Sequence, residues 1–217
     1  MGKEFDKEKE RKLSPAEERR FKKFEAVCAD MEAKGYRKVE LTIGIVWANV
    51  VAILLAIPII AIGIGLFVVN NPGVIPFIRG YRDMLIFLIS IFVLVFVHEV
   101  IHAVTWSFFA ENGMKDIELG FMKQYLTPYA TCCTPLRKRA YILGALMPMI
   151  ILGIIPLIIA ITIGSPLLLS VGLLMTIVAG GDIMIVFKLI TYRSNAREKL
   201  IYDHPTQAGC YVFEKGD

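Results

Sequence analysis

The stretch HEVIH at residues 98–102 places three ionisable side chains inside an otherwise apolar run. From Met84 to Ala110 there is no other Asp, Glu, His, Lys or Arg. Histidines four residues apart lie on one face of a helix, so His98 and His102 can offer ring nitrogens to a single Zn²⁺. Glu99 flanks that face and can take a proton from a water that the metal activates. Ionisable groups inside a membrane segment mark function by default, so this spacing predicts a metal site with a general base.

A catalytic zinc is held by three protein ligands and leaves a fourth position open, so the motif needs one more donor. Between Ala140 and Phe187 the only charged residue is Asp182. At about 1.5 Å of rise per residue, His102 and Asp182 both lie roughly 9–12 Å inside the same end of their helices. Gly180 and Gly181 precede this aspartate and allow close helix approach or local unwinding. Asp182 is therefore predicted as the third ligand; the alternative is a carboxylate that only holds a histidine proton.

Other groups able to bind a metal are weaker candidates. Cys132 and Cys133 are adjacent but lack CxxC spacing, and the simpler interpretation is two small loop residues. His204 follows the last apolar run in an Asp-His-Pro turn, where we expect an exposed tail histidine rather than a ligand.

The composition predicts a membrane protein. Hydrophobic residues make up 56% of the chain and the mean hydropathy is +0.60, which is too apolar for an ordinary soluble domain. Four apolar runs each exceed the ~20 residues that a helix needs to cross a bilayer: 41–69, 84–110, 140–164 and 166–187. The first is too long for the core of a signal peptide, so we expect it to be retained. The expected fold is an all-α bundle of four transmembrane helices.

The distribution of positive charge predicts the orientation. With four spans, 22 of the 24 Lys and Arg residues lie on one side, and Arg79 and Arg82 lie on the other. Because positive loops face the cytoplasm, both termini are predicted there, in the cell membrane. The net charge of +4 is explained by contact with anionic lipid and requires no nucleic acid. The four cysteines also fall in predicted cytoplasmic segments and should be reduced.

Two shorter elements are predicted outside the spans. Ser14-Pro15-Ala16-Glu17 is a capping box that predicts a helix to about Lys34, with Gly35 as its stop. Its apolar face either lies on the membrane surface or, as we favour, packs on the bundle. Alternation over residues 117–121 predicts a short strand and hairpin between spans two and three, which either binds an extended peptide or only covers helix ends. The expected division is a cytoplasmic segment 1–40, a membrane core 41–190 and a cytoplasmic tail 191–217.

HEVIHA in one span, an intervening span and then a glycine-flanked aspartate in the next resemble the core of site-2-type intramembrane metalloproteases. More narrowly, the chain is similar to a family of small prokaryotic membrane proteins described as zincin peptidases. The resemblance runs from about Tyr36 onward through HEVIHA, the strand at 117–121, RAY leading to ALMP, GGDI and DHPTQAGCYVFE. It implies hydrolysis of peptide bonds in or next to the membrane. His98, His102 and Asp182 would then hold Zn²⁺, and membrane-spanning or membrane-adjacent peptides would be the substrates.

A second hypothesis is a membrane protein that binds metal without catalysis, or an inactive protease homologue. Glu99 favours the enzyme, because metal binding alone does not need it. A transporter would more often show repeated halves with broken helices, and no such repeat is visible. A purely structural scaffold would leave the three intramembrane ionisable groups unexplained.

Overall fold

The computed structural model describes residues 13–42, 44–122 and 127–216, and the chain is mostly helical with small antiparallel sheets. The longer helices are α1 (Pro15–Ala33), α2 (Ile45–Asn70), α3 (Tyr81–Ser107), α4 (Lys138–Pro148), α5 (Ile155–Ile163), α6 (Pro166–Val178) and α7 (Gly180–Thr191). A π-helical turn (Met149–Ile154) joins α4 to α5, and a short 3-10 helix (Gly113–Asp116) follows α3. The strands are β1 (Arg37–Thr42), β2 (Ile117–Met122), β3 (Thr127–Cys132), β4 (Leu136–Arg137), β5 (Glu198–Asp203) and β6 (Gly209–Lys215).

Three helical stretches among the described residues are long and apolar enough to cross a membrane: Val50–Asn70, Tyr81–Ser107 and Lys138–Ile163. The third stretch is α4, the π-helical turn and α5 taken together. Helices α6 and α7 form a further apolar pair that is bent by 45° at a short break. The predicted run of apolar helices is therefore confirmed at the level of three spans, or four if the bent pair is one span.

The break between α6 and α7 coincides with a close helix contact. Helix α6 ends before Ala179, and α7 begins at Gly180. A Cβ atom at Gly180 would collide with Ala52 of α2, whereas one at Gly181 would meet nothing within 4 Å. Glycine at position 180 thus lets α2 approach the start of α7, where Asp182 lies in the first helical turn.

A four-stranded antiparallel sheet, which the sequence analysis did not predict, forms the order β1-β6-β5-β4. It joins the segment before α2, the segment between α3 and α4, and the segment after α7. The side chains of β6 alternate between two packed faces. Cys210 and Val212 belong to a core shared with Trp106 and Leu189, while Phe213 belongs to a core on the other face.

Helix α1 packs on that second face of the sheet. Its capping box is present as predicted, since the Ser14 hydroxyl accepts from Glu17 N at 3.4 Å and Glu17 Oε2 accepts from Ser14 N at 2.8 Å. Phe24 is 3% exposed and stacks on Tyr211 with ring centroids 4.4 Å apart. Of the two predicted locations for the apolar face, packing against the protein is the one found, although its partner is a sheet rather than helix ends.

Strands β2 and β3 form a separate two-stranded sheet, with Ile117 opposite Cys132 and Met122 opposite Thr127. Main-chain groups of an antiparallel strand point alternately toward and away from the partner strand. Ala130 and Cys132 direct their N–H groups away from β2, because their acceptors are the side chains of Glu99 and Asp203. The outer edge of β3 therefore faces the membrane helix α3.

The packing of α1 on the sheet predicts that truncation of two phenylalanines in this helix lowers the stability of the protein unequally. Phe24→Ala removes a buried ring and should cost roughly 3 kcal/mol or more, which lowers the melting temperature by roughly 6 °C or more in a chain of this size. Phe21→Ala is the matched control, because Phe21 is 39% exposed. Thermal unfolding of the detergent-purified variants gives both values. Equal shifts would contradict the docking of α1 through Phe24.

Candidate metal centre

Helices α3 and α7 bring two imidazole nitrogens and one carboxylate oxygen together. His98 Nε2 lies 3.1 Å from Asp182 Oδ2, and His102 Nε2 lies 3.1 Å from His98 Nε2 and 3.4 Å from Asp182 Oδ2. Among the described residues this is the group of metal-ligating side chains whose donor atoms all lie within 4.8 Å of one another. Both histidines are buried. The structure thus assembles the three residues that the sequence predicted as ligands.

The spacing of these atoms fits a tetrahedral zinc site. With zinc–ligand distances of about 2.0–2.2 Å, ligand atoms of a tetrahedron lie roughly 3.3–3.6 Å apart, close to the 3.1–3.4 Å found here. Asp182 faces the Nε2 atoms of both histidines rather than their Nδ1 atoms. A carboxylate that only held a histidine proton would contact the nitrogen opposite the metal, so the geometry favours Asp182 as a ligand.

The tautomer of His102 is set by its other ring nitrogen. His102 Nδ1 lies 2.9 Å from the carbonyl oxygen of Gly144, which can only accept a hydrogen bond. Nδ1 therefore carries the proton, and neutral His102 directs the lone pair of Nε2 into the cluster. This is the arrangement in which an imidazole binds a metal.

A tryptophan fixes the plane of the same ring. Trp106 stacks on His102 with ring centroids 4.9 Å apart and planes 14° from parallel, and its indole N–H donates to Tyr141 O at 3.1 Å. A Cβ atom at Gly144 would collide with this indole, so glycine is needed beside the carbonyl that binds His102. Sequence reasoning missed both residues, although Trp106 lies four residues after His102 and so shares its helix face.

The second histidine is held differently. His98 Nδ1 is buried, and no described residue forms a hydrogen bond with it. Asp182 stands in the first turn of α7, where the positive end of the helix dipole favours a carboxylate. Of the two histidines, His102 is therefore the candidate ligand whose orientation the protein fixes more fully.

Glu99, the predicted general base, lies beside the cluster and contacts β3. Its Oε2 accepts a hydrogen bond from Ala130 N at 2.7 Å. A cavity of about 340 Å³ is lined by Glu99, His102 and Asp182 together with the outer edge of β3 and the turn between β5 and β6. The predicted base and two of the predicted ligands thus face one cavity.

Asp203, which the sequence placed only in a turn, is partly buried at the edge of that cavity. Its carboxylate accepts from Tyr141 Oη at 2.5 Å and from Cys132 N at 3.1 Å. Burial raises the pKa of the Asp203 carboxyl above its usual range. The main-chain carbonyl oxygen of Tyr141 accepts a hydrogen bond from the Trp106 indole. Together, these hydrogen bonds connect β3 and β5 to the helix face that carries His102.

The remaining candidates for metal binding are His204 and the adjacent Cys132 and Cys133. His204 is not exposed as expected: it is 6% exposed, and its Nδ1 accepts from the main-chain N–H groups of Thr206 and Gln207. Its ring closes the β5–β6 turn, which explains the burial. The adjacent Cys132 and Cys133 end β3 as free thiols and take no part in the metal-ligand group found among the described residues.

The fold and the site define a class: an apolar helical protein with a candidate metal centre built from HExxH and a distant aspartate. Residues 91–197 match the model of a protein family described as "Putative zincin peptidase". The match contains all three candidate ligands and Glu99. Similarity to this family supports a metallopeptidase and implies zinc as the metal. No curated protein and no solved structure matches the chain at a significant level.

The cluster predicts how metal content responds to substitution. Purified protein should contain about one zinc per chain, because two neutral imidazoles and one carboxylate suit Zn²⁺. Asp182→Ala removes one of three donors and should lower the zinc content while the protein stays folded. Asp30→Ala, in the exposed part of α1, is the control. Metal analysis of the three proteins after dialysis decides this, and full zinc retention in Asp182→Ala would remove Asp182 from the ligand set.

Proposed function

We propose that this protein is a zinc-dependent intramembrane metalloprotease that hydrolyses peptide bonds in or next to the membrane. The observation that carries the proposal is the position of Glu99, whose carboxylate faces the same cavity as His102 and Asp182. A buried metal site alone would not need an ionisable carboxylate beside its ligands.

The chemistry follows from what each residue can do. His98, His102 and Asp182 would hold the zinc, which when bound would supply Lewis acidity toward a carbonyl oxygen and a water molecule. Glu99 takes the proton from the attacking water and passes it to the leaving amine. The indole of Trp106 and the carbonyl of Gly144 keep His102 in one tautomer and orientation throughout.

The edge of β3 is the surface on which we place the substrate. An extended peptide can add to a strand edge through main-chain hydrogen bonds. The outward N–H of Ala130 is directed at Glu99. A peptide carbonyl that took the place of Glu99 on this N–H would therefore lie next to the base. A transmembrane helix would have to unwind locally to lie in this way. Membrane-spanning or membrane-adjacent peptides are therefore the proposed substrates.

The topology we propose has four spans with both termini in the cytoplasm, in the cell membrane. The four-stranded sheet supports it, because β1, β4 and β5 come from the first, middle and last segments and pair in one sheet. Segments that pair in one sheet lie on the same side of a membrane. The chain must therefore cross the membrane twice between one of these segments and the next. The bent pair α6–α7 then counts as one span.

One observation favours the second candidate, a metal-binding protein without catalysis or an inactive homologue. The Glu99 carboxylate is hydrogen-bonded to Ala130 N at 2.7 Å rather than free in the cavity. If that bond were permanent, Glu99 would orient β3 instead of accepting a proton.

A single substitution separates the two candidates. Glu99→Gln keeps the size of the side chain but cannot act as a base, so proteolysis should fall by about 10²-fold or more while zinc is retained. Glu111→Gln, in an exposed segment, is the control. The assay presents single-span peptides in liposomes, with a chelator-treated sample alongside. Equal cleavage by Glu99→Gln and wild type would disprove the catalytic role. Tight zinc binding with no cleavage of any peptide would favour the second candidate.

The topology predicts opposite accessibility for two introduced cysteines. Val74→Cys lies in the exposed loop between α2 and α3 and should react with an impermeant thiol reagent added to intact cells. Glu111→Cys follows α3 and should react only after the cells are broken. The reverse pattern would invert the orientation, and reaction of both in intact cells would change the number of spans.

A further inference from the structure

Arg20 of helix α1 is a buried cation with one nitrogen that lacks a hydrogen-bond partner among the described residues. Its side chain is 6% exposed and lines the cavity over the metal centre. Nε donates to the carbonyl oxygen of Pro205 at 2.9 Å, and the guanidinium lies 4.2 Å from the ring centroid of Tyr129. Nη1 is buried, and no described residue accepts a hydrogen bond from it. A buried charged donor without a partner is costly, by about 1–3 kcal/mol or more.

The cavity offers an unpaired acceptor as well. Gln207, in the β5–β6 turn, lines the same cavity, and its Oε1 is buried with no hydrogen-bond partner among the described residues. Two residues that line the same cavity thus each carry a buried polar atom without a partner, a cationic donor on Arg20 and an amide oxygen on Gln207. A ligand that brings an anionic acceptor and an N–H donor would match them after a small side-chain movement. A peptide with a carboxylate brings both.

The charges around the cavity determine where a carboxylate can bind. Three of the described lining residues are acidic: Glu99, Asp182 and Asp203. Arg20 is the sole lysine or arginine among those lining residues. The guanidinium of Arg20 is therefore the lysine- or arginine-type cation of the described lining that can attract a substrate carboxylate.

We propose that Arg20 forms, with Gln207, the subsite that binds a carboxylate of the peptide substrate. This inference rests on the proposed function and deepens it by naming a substrate class, peptides with an acidic side chain or a free carboxyl terminus near the cleavage site. It also assigns α1 a role in the site: the helix brings a charged group to the cavity from outside the membrane spans.

Binding measured without turnover tests the subsite. The probes are ten-residue peptides of alanine and serine with blocked ends, in which one Glu or one Gln is moved along the chain, and the same peptide with a free carboxyl terminus. Calorimetric titration into full-length protein carrying Glu99→Gln prevents cleavage. At one position the Glu peptide, or the peptide with the free terminus, should bind about ten-fold or more tighter than its neutral counterpart. Which of the two does so identifies the source of the carboxylate.

Two further variants decide whether Arg20 is responsible. Adding Arg20→Gln should abolish the preference, and adding Arg19→Gln should keep it, because Arg19 makes the same change of charge at the neighbouring exposed position. If Arg20→Gln lowers thermal stability enough to prevent titration, Arg20→Lys, which keeps the charge, replaces it and should retain part of the preference. Zinc content should be unchanged in all of these variants.

Several outcomes would overturn the proposal: no binding of any peptide, equal binding of acidic and neutral peptides, or a preference that survives Arg20→Gln. Arg20-dependent binding of short-chain phosphatidylglycerol without any peptide preference would also overturn it and assign the subsite to lipid. Failure of the proposed function is distinguishable. Cleavage without a carboxylate preference removes only the subsite, whereas an Arg20-dependent preference without cleavage removes only the protease.

Discussion

The structure depends on keeping two imidazoles and a carboxylate within 3.1–3.4 Å of one another inside an apolar helical bundle. An ionised carboxylate removed from water is costly unless it is paired or binds a metal. The chain meets this constraint with helix geometry and with small residues. Positions 98 and 102 share a face of α3, and Gly180 lets α2 approach the start of α7, which carries Asp182. Gly144 leaves room for the indole that orients His102. Each of these features is local, but the cluster forms only where the four helices α2, α3, α4 and α7 pack together.

A second layer completes the site from outside the spans. The four-stranded sheet packs one face against the ends of the helices and the other against α1. The β5–β6 turn and the outer edge of β3 then form the wall of the cavity opposite the metal ligands. The hydrogen bonds from Cys132 N and Tyr141 Oη to Asp203 connect this wall to the helices. The helices that carry the candidate ligands and the strands that form the proposed peptide surface are thus distinct in sequence, and they are joined by the partly buried Asp203 carboxylate.

Two kinds of site residue could be predicted from the sequence: those that helix periodicity places on one face, and a charged residue that stands alone in a long apolar region. HEVIH places two histidines on one helix face in any helix, and Asp182 is the lone charge in its long apolar region. The capping box likewise sets the start of α1 without tertiary information. The sheet could not be predicted in this way, because its strands come from distant parts of the chain. Arg37 of β1, for example, pairs with Glu214 of β6, 177 residues away. Its signal was the β-branched and aromatic run at 211–213, which stands among charged residues and suggested a tail. Burial of His204 depends on that sheet and was missed with it.

Arg20 and Phe24 lie on the same face of helix α1. They are four residues apart on α1, so one helix face carries both the ring that stacks on Tyr211 and the guanidinium that lines the cavity. Packing of Phe24 holds the helix against the sheet, and the bond from Arg20 Nε to Pro205 O sets its position over the β5–β6 turn. A change that loosens α1 should therefore alter which peptides bind without altering the metal ligands, which lie on α3 and α7. In the proposed function, metal binding depends on contacts between α3 and α7, and substrate choice depends on a helix outside the spans. The two properties could then vary independently within one small chain.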